Sequence, residues 1–135
     1  MKKPRREHPM VRLWSAAAIL ALLLGISLAN AWYVRRLTDG IGEHLEQAQL
    51  LAEADSWAEA AAQTRRAWQD WEGEKRYVYS LLQHEDADQI LRSFRAVLQY
   101  VKLEEMDQYA AANAELIAQL ELLSEMEQPA LLNVF

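Results

Sequence analysis

The sequence predicts an all-α protein in which one N-terminal transmembrane helix precedes a compact bundle of about four helices, arranged as two helical hairpins. The 135-residue chain contains only four Gly and three Pro, which favours helix throughout. One long apolar run is followed by segments whose apolar residues recur with the helical period, and no segment alternates as a strand does. The length suits one modest domain.

Residues 1–12 form a basic tail, and residues 13–34 form an uncharged apolar run. At 1.5 Å per residue the run spans about 33 Å, enough to cross the hydrocarbon core of a bilayer. Trp14, Trp32 and Tyr33 mark its ends, where aromatic rings prefer the membrane interface. Five basic residues precede the run, whereas only Arg35 and Arg36 directly follow it. The sequence therefore predicts a single-pass cell-membrane protein with a cytoplasmic N-terminus and an extracytoplasmic body.

The same run also has features of a secretory signal peptide, because Ala29-Asn30-Ala31 is an acceptable cleavage site. Two observations favour a retained anchor instead: the run exceeds the usual signal core, and it continues past this site to the Arg pair. A buried helix of a soluble protein is the third interpretation. Cleavage after Ala31 stays open at this point, but both leading interpretations export the rest of the chain.

A stripe of small residues follows one face of the predicted anchor, at Ala17, Ala21, Gly25 and Ala29. Small residues at this spacing let membrane helices approach closely, so the stripe is a candidate packing surface for a second helix. The simpler interpretation, which we favour, is that Ala is common in membrane helices.

Residues 37–128 form the predicted bundle. Thr38-Asp39-Gly40 and Gly42 predict a break just beyond the membrane. Gly73 is a possible bend within the second segment, which extends to about His84, and the fourth segment stops before Pro129. The predicted inward positions are Ile41, Leu45, Ala48 and Ala52; Trp57, Ala61, Thr64, Trp68 and Trp71; Ile90, Leu91, Phe94, Val97, Leu98 and Val101; and Tyr109, Ala112, Leu116, Leu120 and Leu123.

The junctions between segments carry helix-start signals. Residues 56–59, "SWAE", fit a capping box, and residues 86–89, "DADQ", are a looser version. A weak repeat matches "EADSWAEA" at 53–60 with "EMDQYAAA" at 105–112, an offset of 52 residues. Each copy is expected to end one helix, turn, and begin the next with an aromatic residue. This pattern predicts two hairpins packed together rather than a solenoid.

The search for chemistry yields no catalytic or cofactor motif. The chain has no Cys, no Gly-rich phosphate loop and no nucleophile elbow. Four side chains near residue 84 are of types that bind divalent ions, but helix capping explains them more simply: His84, Glu85, Asp86 and Asp88. The aromatic residues Trp57, Trp68, Trp71, Tyr77 and Tyr79 could line a ligand groove, although core packing is the favoured interpretation. We therefore predict a protein that is not an enzyme and needs neither metal nor cofactor.

Several segments resemble a known family. They are Asp55-Ser56-Trp57 with Ala60, "YSLLQHEDADQI" at residues 79–90 and the closing "LLNVF" at residues 131–135, together with the basic start and single span. The chain resembles the small bacterial membrane-anchored proteins catalogued as domain of unknown function 4363, found mainly in spore-forming Gram-positive bacteria. The family usually has Gly where this chain has Ala54. The resemblance implies anchoring and an α-helical exported domain, and it supplies no activity.

The charge distribution limits the possible partners. Residues 37–135 carry 19 acidic and seven basic residues, which would repel nucleic acid. We expect a protein–protein interaction or scaffolding module of the cell envelope, with self-association as one form of such contact. The alternative is a small-molecule or peptide sensor that uses the aromatic groove.

The C-terminal tail, residues 129–135, is a candidate partner-binding element. It reads "PALLNVF", and chain ends this apolar are usually covered. The favoured cover is the protein's own bundle. In the alternative, Leu132 and Phe135 anchor the tail in a partner's groove while Asn133 fixes its backbone.

Overall fold

A computed structural model describes residues 9–74 and 84–126 of the chain, and these residues form four helices. They are α1 (Pro9–Glu53), α2 (Trp57–Gly73), α3 (His84–Leu103) and α4 (Met106–Met126). No strand occurs within the described ranges. The prediction of an all-α protein with a long apolar N-terminal helix is confirmed.

Helix α1 is continuous for 45 residues, so the predicted break at Thr38-Asp39-Gly40 and Gly42 is wrong. The Thr38 hydroxyl donates a hydrogen bond to the Arg35 carbonyl oxygen at 3.0 Å, inside the helix, instead of capping a new start. Ile41 lies between the two glycines and Leu45 follows one turn after Ile41, and both are completely buried. Each contributes about 1.5–3 kcal/mol through burial, which exceeds the cost of about 1 kcal/mol for a glycine in a helix.

The bundle consists of two helical hairpins placed side by side, as predicted. Helix α1 packs against α2 and α4, and α3 packs against α2 and α4. One face of each helix supplies the shared core. Ala31 and Val34 are also buried, so the end of the predicted anchor takes part in packing.

The predicted inward faces contain most of the observed core in α1, α3 and α4, although Leu91, Leu98 and Ala112 are only half-buried, and the difference is largest in α2. In α2 the buried residues are Ala60, Thr64, Ala67 and Trp71, whereas Trp57, Ala61 and Trp68 are half-buried. Three of these four buried residues are small, Ala60, Thr64 and Ala67, so the helix backbones can approach closely while Trp57 and Trp68 pack at the sides of α2.

Both hairpin turns use the same backbone device. Ser56 N–H donates to the Leu51 carbonyl at 2.8 Å, and Glu105 N–H donates to the Tyr100 carbonyl at 3.2 Å. The preceding residues, Asp55 and Glu104, adopt left-handed φ values of 64° and 56°. This is the Schellman ending of a helix, here achieved without glycine.

The turns correct the predicted register of the repeat. The equivalent left-handed residues, Asp55 and Glu104, are 49 positions apart, not 52. Trp57 begins α2 as predicted, but α4 begins at Met106, and Tyr109 lies one turn inside it. The sequence match therefore paired Trp57, the first residue of α2, with Tyr109, which lies one turn after the start of α4.

The predicted capping box at residues 56–59 is also wrong in its hydrogen bond. Ser56 is the residue before α2, but its side chain makes no capping bond, because its φ and ψ of −92° and 63° lie outside the extended region that capping uses. The Trp57 indole N–H instead donates to Asp55 Oδ1 at 3.0 Å. Asp86 and Asp88 lie within α3 rather than ahead of it. The prediction that they cap this helix is therefore wrong.

Candidate partner-binding surface

The candidate residues on the predicted membrane helix all lie on the exposed part of α1. Ala17, Ala21, Gly25 and Ala29 are exposed, and a Cβ added at Gly25 would meet nothing within 4 Å. These four residues are exposed to solvent in the structure, so their role in pairing with a second helix stays a prediction. The tail residues Leu132, Asn133 and Phe135 lie outside the described residues.

The tryptophans predicted as core or ligand groove are packed against other aromatic rings. Trp68 and Phe94 meet edge to face with ring centroids 5.3 Å apart, and Trp71 lies 6.3 Å from the same Phe94 ring. Trp57 meets Tyr109 edge to face at 5.7 Å. These contacts support the favoured interpretation, core packing. Tyr77 and Tyr79 lie outside the described residues.

A buried amide joins α4 to α1 inside the bundle. Asn113 is completely buried, and its Nδ2 donates to the Leu45 carbonyl at 3.0 Å and to Gln49 Oε1 at 3.1 Å. Its Oδ1 has no hydrogen-bond partner among the described residues. Sequence reasoning missed Asn113. It lies in the inward stripe between Tyr109 and Leu116, where a polar residue indicates a buried hydrogen bond between helices.

Tyr109 is a second buried polar group of α4. Burial raises the pKa of its phenol to about 12, the nearby Thr64 hydroxyl lowers that pKa, and the Glu53 carboxylate raises it. Tyr109 Oη nevertheless has no hydrogen-bond partner in the described part of the chain, and the Thr64 hydroxyl donates to the Ala60 carbonyl oxygen at 2.9 Å. Tyr109 thus stays neutral at physiological pH.

His44 links α1 to α2 at the surface of the bundle. Its Nδ1 lies 2.9 Å from Gln63 Oε1, and its Nε2 lies 3.6 Å from Asp70 Oδ2. Both neighbours are acceptors on α2, so this contact orients the ring between the two helices. Sequence reasoning missed it, because the partners are 19 and 26 positions away.

The metal-ligand candidates near residue 84 are only partly described. Glu85, Asp86 and Asp88 lie in the first turns of α3, while the His84 side chain lies outside the described part. Within residues 9–74 and 84–126, no group of three or more His and acidic side chains is placed to hold a metal.

Charge is divided unequally among the helices of the bundle. From residue 37 onward α1 has no Lys or Arg, and neither does α4. Their acidic residues are Asp39, Glu43, Glu46, Glu53, Asp107, Glu115, Glu121 and Glu125. Helices α2 and α3 carry the basic residues Arg65, Arg66, Arg92, Arg95 and Lys102. Because α1 and α4 are neighbours, one side of the bundle carries only negative formal charge from its Lys, Arg, Asp and Glu residues.

An acidic groove lies between α1 and α4 on that side. Its volume is about 270 Å³. The apolar side chains Ile117 and Leu120 line it, and Leu120 is buried. The lining acids, all exposed, are Asp39, Glu43, Glu46 and Glu121. Such a groove attracts cationic groups through charge and offers apolar contact beneath them.

The described bundle is thus an all-helical domain with a charged surface groove and a long apolar helix. A family model described as "Domain of unknown function (DUF4363)" matches residues 29–134 of the chain. The chain belongs to this family, which confirms the resemblance found in the sequence. No curated protein and no solved structure matches it.

Proposed function

We propose that this protein is a single-pass membrane-anchored helical module of the cell envelope that binds another protein through the acidic groove between α1 and α4. The observation that carries the anchoring is the exposure of α1. Its most apolar 18-residue window has a mean hydropathy of 2.0, and none of that window is buried in the structure. A core helix of a soluble protein would be largely buried, so an exposed helix of this length favours a bilayer as its surroundings.

The orientation is proposed from the flanking charges. Basic residues are more numerous before the span than directly after it, which favours a cytoplasmic N-terminus and an extracytoplasmic bundle. Helix α1 continues from the span into the bundle without a break, so it would hold the groove at a fixed height above the membrane.

Interaction is favoured over sensing because the three tryptophans predicted as a possible ligand groove, Trp57, Trp68 and Trp71, are used for packing. Trp71 is buried, and Trp57 and Trp68 are half-buried against the core. The groove instead offers carboxylates above apolar side chains, which suits a basic protein surface. The C-terminal tail, with Leu132, Asn133 and Phe135, remains a second proposed contact.

The proposal is tested by crosslinking in intact membranes, followed by capture of the full-length protein. We expect the triple variant Glu43→Gln, Glu46→Gln and Glu121→Gln to lose most of the partner captured by the wild type. Capture should also weaken as the salt concentration is raised, because dissolved ions screen the attraction between exposed charges of opposite sign.

A matched control removes acids outside the groove. Glu59→Gln, Glu85→Gln and Asp88→Asn together change three exposed acids on α2 and α3 and should leave capture unchanged. Equal loss in both variants would assign the effect to net charge alone and contradict a groove-specific contact. Capture of the protein by itself only, together with a ligand that raises the melting temperature of the bundle, would favour the sensor.

A further inference from the structure

A second surface site lies where the exposed part of α1 meets the bundle. Trp32, Arg35, Arg36 and Asp39 line an open surface depression of about 380 Å³. Their spacing of three, four and seven residues places them on one face of the helix. All four are exposed, and Trp32 is 60% exposed although it is a large aromatic residue.

The position of this site along α1 corresponds to the headgroup layer of a bilayer. From Leu13 to Trp32 the helix rises about 29 Å, close to the thickness of the hydrocarbon core. Arg35 and Arg36 then lie about 5–6 Å beyond Trp32, within the layer that contains lipid phosphates. Asp39 lies about 10 Å beyond Trp32, farther toward the water.

The side chains suit a phosphodiester. The Arg36 guanidinium carbon lies 5.0 Å from the centroid of the Trp32 ring, a cation–π contact that holds the charge at the interface. Guanidinium groups match the geometry of phosphate oxygens, and Arg35 supplies a second one next to the first. The Asp39 carboxylate, however, would repel a headgroup that carries only negative charge.

We infer that Trp32, Arg35, Arg36 and Asp39 bind the headgroup of a phospholipid that carries one phosphodiester and one primary ammonium, as in phosphatidylethanolamine. The two Arg residues hold the phosphate. The ammonium, separated from the phosphate by two carbons, points outward and donates to Asp39. A choline headgroup has no N–H to donate, and a glycerol headgroup has no positive charge to offset Asp39. The inference rests on the proposed membrane anchoring.

The test uses the full-length protein inserted into vesicles of equal parts phosphatidylethanolamine, phosphatidylglycerol and phosphatidylcholine. One sample is washed with alkaline carbonate to test insertion. A parallel sample is washed and extracted with mild detergent near neutral pH, where the ethanolamine ammonium is charged, and mass spectrometry measures the lipid retained per protein. We expect phosphatidylethanolamine to be enriched about fivefold over each of the other two, the factor that about 1 kcal/mol supplies. Arg35→Gln with Arg36→Gln should return the lipids to the vesicle ratio, and Asp39→Asn should abolish the preference for ethanolamine over choline.

A second Arg pair in the same chain is the matched control. Arg65→Gln with Arg66→Gln alters exposed residues of α2 in the bundle and should leave the enrichment unchanged. Equal effects of the two pairs, or enrichment of phosphatidylglycerol instead, would overturn the inference. Inorganic phosphate in the wash should not displace the lipid, and displacement would indicate a site for soluble phosphate and overturn the lipid site.

The outcomes separate this site from the anchoring on which it rests. If carbonate strips the wild-type protein from the vesicles, the anchoring is contradicted and the lipid site with it. If the protein stays inserted but retains lipids in the vesicle ratio, only the headgroup site is contradicted.

Discussion

Tyr109 and Asn113 are the residues where the bundle departs from a simple apolar core. Both are completely buried, and each has one polar atom without a hydrogen-bond partner among the described residues. Burying such a group without a partner costs about 1–3 kcal/mol. Asn113 recovers part of this cost through its two bonds to α1, and these bonds favour one pairing of α1 with α4.

Tyr109 gives a prediction on pH at this scale. Its folded pKa of about 12 exceeds the unfolded value of about 10, since burial disfavours the phenolate. The neutral phenol therefore contributes stability that is fully present below about pH 10 and is lost as the pH rises to about 12. We expect a tyrosine absorbance titration to show one late group, and denaturant unfolding to show falling stability across this window.

Tyr109→Phe is the control for this assignment. The variant should lack the late titration and should lose less stability between about pH 10 and 12. Near neutral pH it should be as stable as the wild type or more so, because it removes a buried hydroxyl without a partner. A late titration that persists in the variant would assign it to another tyrosine.

At the scale of elements, α1 shows how packing outweighs local propensity. Gly40 and Gly42 lie inside the helix, neither has a positive φ, and a Cβ at either position would meet nothing within 4 Å. Gly40→Ala and Gly42→Ala should therefore each raise the free energy of unfolding by about 0.5–1 kcal/mol. Denaturant unfolding of the full-length protein in detergent measures the change.

Gly25 provides the matched control for the two glycine variants. It is also helical and open, but it lies in the exposed apolar part of α1, outside the bundle. Gly25→Ala should leave the unfolding of the bundle unchanged. A loss of stability in the Gly40 or Gly42 variant would mean that glycine is needed there, as the predicted break required.

The sequence was sufficient to predict the helices whose apolar residues recur with a clear helical period. It was insufficient where contacts between helices determine the local structure. The inward stripe of α3, including Phe94 and Val97, is visible from spacing alone because most of its large apolar residues recur with the helical period. The continuity of α1 is not visible, since the glycine cost is local and the compensating burial of Ile41 and Leu45 depends on α2 and α4. The acidic groove was hidden for the same reason. Its charges come from segments that become neighbours only after folding.

At the scale of the whole molecule, α1 connects two environments. Its N-terminal part is exposed and apolar, whereas from Ala31 onward it contributes residues to the bundle. Because α1 has no break, an anchor in its N-terminal part would hold the bundle at a fixed height above a membrane, as proposed above. This arrangement requires that the anchor remains attached.

The last prediction is therefore that the chain is not cleaved after Ala31. Ala31 is only 8% exposed and Val34 only 3% exposed, so a chain beginning at Trp32 would lose one packed residue and place its new N-terminus beside another. N-terminal sequencing of the protein from the membrane fraction should find the segment before Trp32 still present. Ala29→Leu, which changes an exposed residue and destroys the small-residue cleavage pattern, should give a protein of the same size. A wild-type chain that begins at Trp32, with a longer Ala29→Leu chain, would establish a cleaved signal peptide. The bundle would then be released from the membrane, and both the fixed height of the groove and the lipid site would be lost.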